Sequence, residues 1–167
     1  MSMHVLARRA QTSIGSLYHF FPDPDSVLDA LSERHRAAIH EISRQQMAFP
    51  PTVLQQLSPY EATERLVMPY LAYLRAHADY LPLMHDRTPA TEESAFIHSI
   101  RQLLNARLPG LSQDERETGA SLLHAVALGT LWMGFRTNPD RLDIYLRGFP
   151  RLMSAYLAAM EATATKR

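Results

Sequence analysis

Short polar side chains recur near the start of the chain, along a stretch that is predicted to form a helix. They are Ser13, Ser16, Tyr18 and His19. Small hydroxyl groups and planar polar rings suit contacts with phosphate oxygens and with the edges of bases. Residues 1–22 contain Arg8 and Arg9 but no acid, so this part of the chain is mildly basic. The pattern favours contact with nucleic acid, although Tyr18 and His19 would also suit an ordinary solvated helix surface.

Two short helices would hold these side chains in place. The first is predicted from Met3 to Ala10 with Ser2 as its N-cap, and the second from about Ile14 to Phe20. The apolar side chains that can meet beneath them are Leu6, Leu17 and Phe21. Two helices joined by a tight turn, here Gln11-Thr12-Ser13, form a helix-turn-helix, which places its second helix in the major groove of DNA.

The stretch from Leu6 to Leu31 carries the most specific pattern in the chain. It supplies, in order, Leu6-Ala7, Ala10, Ser13, Gly15-Ser16-Leu17-Tyr18, Phe20-Phe21-Pro22 and Val27-Leu28. In type and spacing these residues resemble the DNA-binding motif of the tetracycline-repressor (TetR) family of transcriptional regulators. The resemblance implies an N-terminal helix-turn-helix followed by a helical ligand-binding and dimerisation domain. It also implies three partners: a double-stranded DNA operator, a small organic ligand and a second copy of the chain.

DNA contacts are expected from residues of both short helices. They are Ser2, Ser13, Ile14, Gly15, Ser16, Tyr18 and His19. Tyr18 and His19 would position the second helix on the phosphate backbone, while the residues before them approach base edges. Ser2 would cap the first helix, whose N-terminus favours a phosphate.

Three departures from the family pattern bear on DNA binding. The family's turn glycine is Gln11 here, and a glutamine at positive φ would cost about 1 kcal/mol. The lysine that often follows the motif, a phosphate contact, is replaced by Pro24. The family's first helix, which would precede Ser2, is absent, so the two short helices lose part of their apolar cover. We expect either a start assigned too late or a lost helix, and poor DNA binding without it.

The remaining chain is predicted to be all-helical. Apolar residues recur at spacings of three and four, and the sequence has no β-branched runs with period-2 alternation. Capping boxes predict helix starts at Ser58-Pro59-Tyr60-Glu61 and at Ser112-Gln113-Asp114-Glu115. We therefore predict an all-α fold of two domains. Residues 1–45 would form the helix-turn-helix domain and the start of a linker helix, and residues 46–167 the ligand-binding and dimerisation domain.

A mainly apolar ligand pocket is expected beside Pro69, because a proline inside a helix causes a kink and opens space between helices. The residues predicted to line it are Met68, Tyr73, Met84, Phe96, Ile100, His124, Leu128 and Trp132. Methionine and aromatic residues at helical spacing also form ordinary cores, so the spacing only permits a pocket. The resemblance implies that one exists in this region.

The last two long helices are expected to form a homodimer. The helix over residues 112–136 is apolar nearly all round, which is more surface than the core of one chain can cover. The final helix also carries apolar residues on more than one face. Two copies of each would form a four-helix bundle about a two-fold axis. The predicted interface residues are Leu122, Val126, Thr130, Leu152, Tyr156 and Met160.

Composition and spacing argue against catalysis and metal binding. The chain has no cysteine, which excludes disulfides and thiolate metal sites, and its 17 basic residues balance 17 acidic ones. His35 and His40 are five residues apart, which does not align two metal ligands on one helix face. The sequence has no nucleophile elbow and no glycine-rich phosphate loop. We predict no metal, no cofactor and no enzyme activity.

One uncharged stretch raises the question of a membrane span. Residues 118–135 carry no formal charge over 18 residues, close to the ~20 that cross a bilayer. The stretch also contains glycine, serine, threonine and histidine, so a buried helix of a cytoplasmic protein explains it better. The alternative function is a helical small-molecule-binding or dimeric protein that has lost DNA binding, which the neutral charge and the absent first helix favour.

Overall fold

The computed structural model describes residues 2–86 and 94–165, and over these residues the chain is all-α, with no strand. The predicted fold class is confirmed. The helices are α1 (Met3–Arg9), α2 (Ile14–Phe20), α3 (Pro24–Met47), α4 (Pro51–Gln56), α5 (Pro59–Ala76), α6 (Tyr80–Asp86), α7 (Ala95–Arg107), α8 (Gln113–Thr137) and α9 (Leu142–Thr165), with a 3₁₀ turn at Pro139–Arg141. Both α5 and α9 continue through an internal proline, Pro69 and Pro150 respectively.

Reciprocal capping bonds explain where two of the long helices begin. Ser58 Oγ accepts from the backbone N–H of Glu61 at 3.2 Å, and a Glu61 carboxylate oxygen accepts from the N–H of Ser58 at 2.8 Å. Ser112 and Glu115 form the same pair of bonds at 3.2 and 2.9 Å. Each pair satisfies two N–H groups that have no partner inside the helix. Both helix starts predicted from the sequence are confirmed.

The short helix α4 is not predicted by the sequence pattern. Pro50 and Pro51 suggest only a stop after α3, but Pro51 takes the first position of a new helix, where its missing N–H costs nothing. Leu54 of α4 is buried in the core. Arg107 of α7 donates to the carbonyl oxygens of Leu54 and Leu57, each at 2.6 Å. Tertiary contacts therefore stabilise a helix that is too short to be evident from its own sequence.

Helices α4 to α9, hereafter the body, enclose the hydrophobic core. Helix α5 packs on α9, α7 packs on α8, and α8 packs on α9, while α3 lies against α5, α6 and α7. The most deeply buried side chains come from all four long helices of the body; they include Leu71, Ile100, Ala120, Leu146 and Leu157. The body thus buries a continuous apolar core.

Two glycines of α8 allow α9 to approach closely. A Cβ atom on Gly134 would lie 2.6 Å from a ring carbon of Tyr145, and one on Gly119 would lie 2.5 Å from the end of the Met160 side chain. Distances below 3.0 Å are not tolerated without movement of the neighbour. At Gly119 the flexible end of Met160 could move aside, so the close packing of α8 on α9 depends above all on the absence of a side chain at Gly134, beside the Tyr145 ring.

Helices α1 and α2, hereafter the head, pack on each other and make few contacts with the body. Met3 and Ala7 are the buried residues of these two helices. Leu6 and Leu17, which were predicted to meet beneath the helices, are half-buried, and Phe20 is 73% exposed. Because a unit of this size buries little apolar surface, its own core contributes little to its stability.

Candidate functional site

Polar side chains predicted to contact DNA lie together on the head. Ser2 and Ser13 are the N-caps of α1 and α2; they accept from the N–H of Val5 at 3.4 Å and of Ser16 at 2.9 Å. The hydroxyl oxygens of Ser13 and Ser16 also lie 2.8 Å apart. Capping explains why both helices start where they do. The hydroxyl groups of Ser2 and Ser13, both predicted to contact DNA, therefore also cap α1 and α2.

The other predicted contacts follow along α2. Gly15, Tyr18 and His19 are exposed, Tyr18 by 50%, whereas Ile14 is half-buried. The exposed side chains are available to a partner without any change in the fold. Their contact with DNA stays a prediction.

The turn between α1 and α2 contains the backbone conformation expected from the family pattern. Gln11 has φ of 52°, in the left-handed region that favours glycine. A non-glycine residue there costs about 1 kcal/mol. The backbone strain predicted for Gln11 is therefore present. It lies in the head, where few side chains are buried.

A small apolar cavity of about 50 Å³, partly open at the surface, lies in the body, with one wall on α3. The residues that line it are Ile39, Val67, Tyr70, Leu71, Leu74, Tyr80, Ser94, Phe96, Leu128, Leu131 and Phe149. Pockets for drug-sized ligands measure ~300 Å³ or more. The cavity has the apolar character expected of a ligand pocket, but its volume is well below that of such pockets.

The predicted pocket residues are spread more widely than this cavity. Phe96 and Leu128 line it, as expected for a site closed by α7 and α8. Ile100 is fully buried in the core, whereas His124 and Trp132 are half-buried and Met68 is exposed. Tyr73 forms a hydrogen bond with His35 of α3 instead. The side chain of Met84 lies outside the described part of the structure. Ile39, which also lines the cavity, was not among the predicted pocket residues. Ile39 belongs to α3, and no sequence signal placed α3 beside the pocket.

A chain of buried hydroxyl groups joins three helices beside the cavity. Ser43 of α3 donates to the carbonyl oxygen of Ala95 at 2.7 Å, its oxygen lies 3.0 Å from that of Ser99, and the Tyr70 hydroxyl lies 2.8 Å from Ser99. Since the one proton of Ser43 goes to Ala95, Ser99 must donate to Ser43 and Tyr70 must donate to Ser99. Burial raises the pKa of the Tyr70 phenol, while the hydrogen bonds with Ser99 and Ser43 act in the opposite direction.

A second polar contact holds the middle of α3. The ring of His35 is 2% exposed; its Nδ1 lies 2.8 Å from the hydroxyl of Tyr73 and its Nε2 lies 3.3 Å from Asp79 Oδ2. The ring stacks on Tyr80, with centroids 4.9 Å apart. Burial raises the pKa of the Tyr73 phenol; Arg34 acts to lower it and Asp79 to raise it. His35 thus fixes α3 against α5, α6 and the turn between them.

Comparison with known families agrees with this architecture. The family model for the tetracyclin repressor-like C-terminal domain matches residues 58–157, more than half of the chain. The chain belongs to the tetracycline repressor-like family. No curated protein matches the sequence. The matched region begins after the head, so it is independent of the TetR resemblance in residues 6–31.

TetR-like proteins are soluble, commonly bind small ligands and dimerise, and membership points to a regulator rather than an enzyme. In this TetR-like chain, large apolar side chains on α8 and α9 are exposed; they are Leu122, Val126, Met133, Ile144, Leu152 and Tyr156. Four of the six predicted interface residues belong to this set, while Thr130 and Met160 are half-buried. Their exposure leaves these side chains accessible to a partner, and the predicted interface stays a prediction.

Helix α8 is long and apolar enough to cross a membrane by length and composition alone, and 33% of its most apolar window is buried in the body. Core helices of soluble proteins pass the same test, so this is weak evidence for a span. In a TetR-like protein, surface left uncovered on α8 suits contact with another protein chain.

A polar groove of about 470 Å³ lies between the end of α7 and the start of α8. Arg101 donates to the Glu117 carboxylate at 2.8 and 2.9 Å, and Arg116 donates to Asn105 Oδ1 at 2.9 Å. These arginines are engaged by the protein itself, so the groove is a weaker candidate for a ligand than the cavity. Within residues 2–86 and 94–165, no group of three His, Cys, Asp or Glu residues could hold a metal ion.

Proposed function

We propose that the chain is a cytoplasmic, DNA-binding transcriptional repressor whose binding to an operator is controlled by a small organic ligand. The observation that carries this proposal is the family match over residues 58–157 in a chain whose residues 6–31 independently resemble the family's DNA-binding motif. The division of labour we propose places DNA binding in residues 1–45 and ligand binding and dimerisation in residues 46–167.

On the DNA side, α2 is the helix that enters the major groove. Exposed Tyr18 and His19 would contact phosphates, and Ser16 would approach base edges. The head has only two arginines, so few phosphates per half-site are neutralised and the salt dependence of binding should be shallow. Completion of the head by a further helix would cover its half-buried apolar side chains.

On the ligand side, the apolar cavity bounded by Phe96 and Leu128 is the proposed binding site. A ligand that binds there would displace side chains of the cavity wall. That displacement would favour one conformation of the body over another and so control DNA binding by the head. A homodimer would pair the exposed apolar surface of α8 and α9 with its own copy, with more than about 1,000 Å² buried. Two heads held by one dimer would then bind two half-sites.

The proposal is tested with the full-length protein, including any codons in frame upstream of Met1, and fluorescently labelled DNA from upstream of its own gene. Fluorescence anisotropy should show saturable binding. Tyr18→Ala should weaken binding to specific and unrelated DNA by a similar factor, whereas Ser16→Ala should change the preference between them. Tyr60→Ala, an exposed tyrosine of α5, is the matched control and should leave binding unchanged.

A second candidate function is a dimeric ligand-binding protein without DNA activity. It is favoured by the thin core of the head, in which Phe20 is 73% exposed, and by the balanced formal charge. The two functions differ in one result of the same titration. If the protein dimerises but does not change the fluorescence anisotropy of any DNA, even at low salt, the second function is correct.

A further inference from the structure

The wall of the apolar cavity carries no charged group. Among the described residues that line it there is no Asp, Glu, Lys, Arg or His; the wall consists of aliphatic side chains, four aromatic rings and Ser94. A charged group that leaves water for such a site has no opposite charge to pair with, which is strongly unfavourable. The composition of the wall therefore selects against both anions and cations.

Two hydroxyl groups of the wall are already used within the protein. The phenol of Tyr70 is hydrogen-bonded to Ser99 at 2.8 Å, and Ser94 Oγ accepts from the N–H of Phe96 at 3.3 Å at the start of α7. A polar group on a ligand would have to compete with these bonds, and a buried polar group without a partner loses the hydrogen bonds that it made with water. The wall therefore favours a ligand with few polar groups.

The aromatic rings of the wall are held in place by other contacts. The ring of Tyr70 lies edge-on to that of Phe96, with centroids 4.7 Å apart, and its hydroxyl is bonded to Ser99. Tyr80 is 7% exposed and stacks on His35, with centroids 4.9 Å apart. Aromatic rings bind further rings through edge-on and offset-stacked contacts. A cavity with such walls favours a flat aromatic ligand over a chain of the same size.

The size of the cavity limits the ligand to one ring. Its volume of about 50 Å³ is about a third of the ~150 Å³ of an apolar cavity that binds benzene. The open side of the cavity and displacement of aliphatic wall residues such as Leu128, which is half-buried, can supply the difference for a single ring. A second fused ring would have to displace the aromatic side chains as well.

We propose that the cavity binds an uncharged, single-ring aromatic molecule, held by apolar and ring contacts and not by charge. The inference rests on the proposed function, in which this cavity is the ligand site, and it adds the chemical class of the ligand. Carboxylates, phosphates and amines that are charged at neutral pH are excluded from the class.

Methyl groups in the wall allow occupancy to be measured directly. The experiment labels the isoleucine, leucine and valine methyl groups of the full chain with ¹³C and follows their NMR signals. The probes are toluene, benzyl alcohol, benzoate and benzylammonium, which share one ring and differ in polarity and charge. Toluene should shift the signals of Ile39, Val67 and Leu128 saturably and leave that of Leu54, which is buried outside the wall, unchanged. We expect benzyl alcohol to bind about tenfold more weakly and both ions at least about 100-fold more weakly.

Two variants of α8 locate the site. Leu128→Trp fills the cavity and should weaken toluene binding at least about tenfold. Phe135→Trp is the matched control, because Phe135 lies on the same helix, is also half-buried and does not line the cavity. If Leu128→Trp does not fold, Leu128→Phe serves the same comparison. Equal affinity of the cavity-filling variant and the control for toluene would place the site elsewhere and overturn the proposal.

The charge series decides the class of ligand. Benzoate or benzylammonium that binds as tightly as toluene overturns the proposal, and so does toluene that leaves every wall methyl signal unchanged up to its solubility. The titration contains no DNA, so its result does not depend on operator binding. Toluene binding without any change in DNA anisotropy would leave the ligand class standing and count against the repressor. DNA binding by a protein whose cavity stays empty would have the opposite meaning.

Discussion

The head and the body of this molecule are stabilised in different ways. The body buries side chains from every long helix around one core, with residues such as Ile100 and Leu104 fully covered. The head buries Met3 and Ala7, carries a glutamine in the left-handed region and exposes most of α2. The difference indicates that the apolar core of the body contributes most of the stability of the described structure, while the head contributes little through its own core.

The largest expected effect comes from removing core volume in the body. Ile100→Ala should lower the free energy of unfolding by about 2–5 kcal/mol, because it leaves a cavity in the packed centre. Leu17→Ala in the head should cost about 1 kcal/mol or less, because Leu17 is only half-buried. Urea denaturation followed by circular dichroism measures both. Equal losses would mean that the head shares the core of the body.

The contact between α8 and α9 gives the next largest effect. Gly134→Ala should destabilise the protein by about 1–3 kcal/mol, since the new methyl group overlaps the Tyr145 ring. Gly148→Ala in α9 meets no atom within 4 Å and should stabilise the helix by about 0.5–1 kcal/mol. Thermal unfolding of the two variants distinguishes them. A Gly134→Ala protein as stable as the wild type would show that α9 is not packed this closely.

Strain in the head predicts a gain of about 1 kcal/mol from Gln11→Gly, because glycine adopts φ of 52° without steric cost. The control Ala37→Gly, on the exposed side of α3, should lose about 1 kcal/mol. Hydrogen–deuterium exchange of the amides of α1 and α2 reports the gain, since the head opens locally. Faster exchange in Gln11→Gly would contradict the strained turn.

The smallest effect is expected from the buried phenol beside the cavity. The pKa of Tyr70 is raised by burial, so the folded state favours the protonated form. This contribution to stability is complete below the ordinary tyrosine pKa of about 10 and is lost as pH rises through the higher folded value. Tyr70→Phe should therefore flatten the decline in stability at alkaline pH. An unchanged slope would show that Tyr70 ionises as readily as in the unfolded chain.

The sequence predicted the parts of the fold that local chemistry determines. Ser58 and Ser112 begin helices because their side chains and those of Glu61 and Glu115 cap free N–H groups within four residues. The positive φ of Gln11, by contrast, was expected from the resemblance, since the family has a glycine at this position. Helix α4 was missed because its stability comes from Arg107, which is distant in sequence.

The candidate site was predicted less completely, because it depends on how helices pack. Phe96 and Leu128, which were predicted for the pocket, line the cavity. Ile39 also lines it but was not predicted, since periodicity does not show which helices α3 packs against. His35 was considered only as a metal ligand and rejected by its spacing from His40. Its contacts with Tyr73 and Asp79 join residues about forty positions apart, and no local pattern predicts them.

The central claim, that this chain binds DNA as a dimer, is tested most directly by selection from a random double-stranded DNA library with the full-length protein. The claim predicts enrichment of a two-fold symmetric sequence whose half-sites lie one or more helical turns apart, about 34–36 Å per turn. His19→Ala should abolish or weaken that enrichment, because His19 lies on the exposed face of α2. A selected pool that remains indistinguishable from the starting library would contradict the claim.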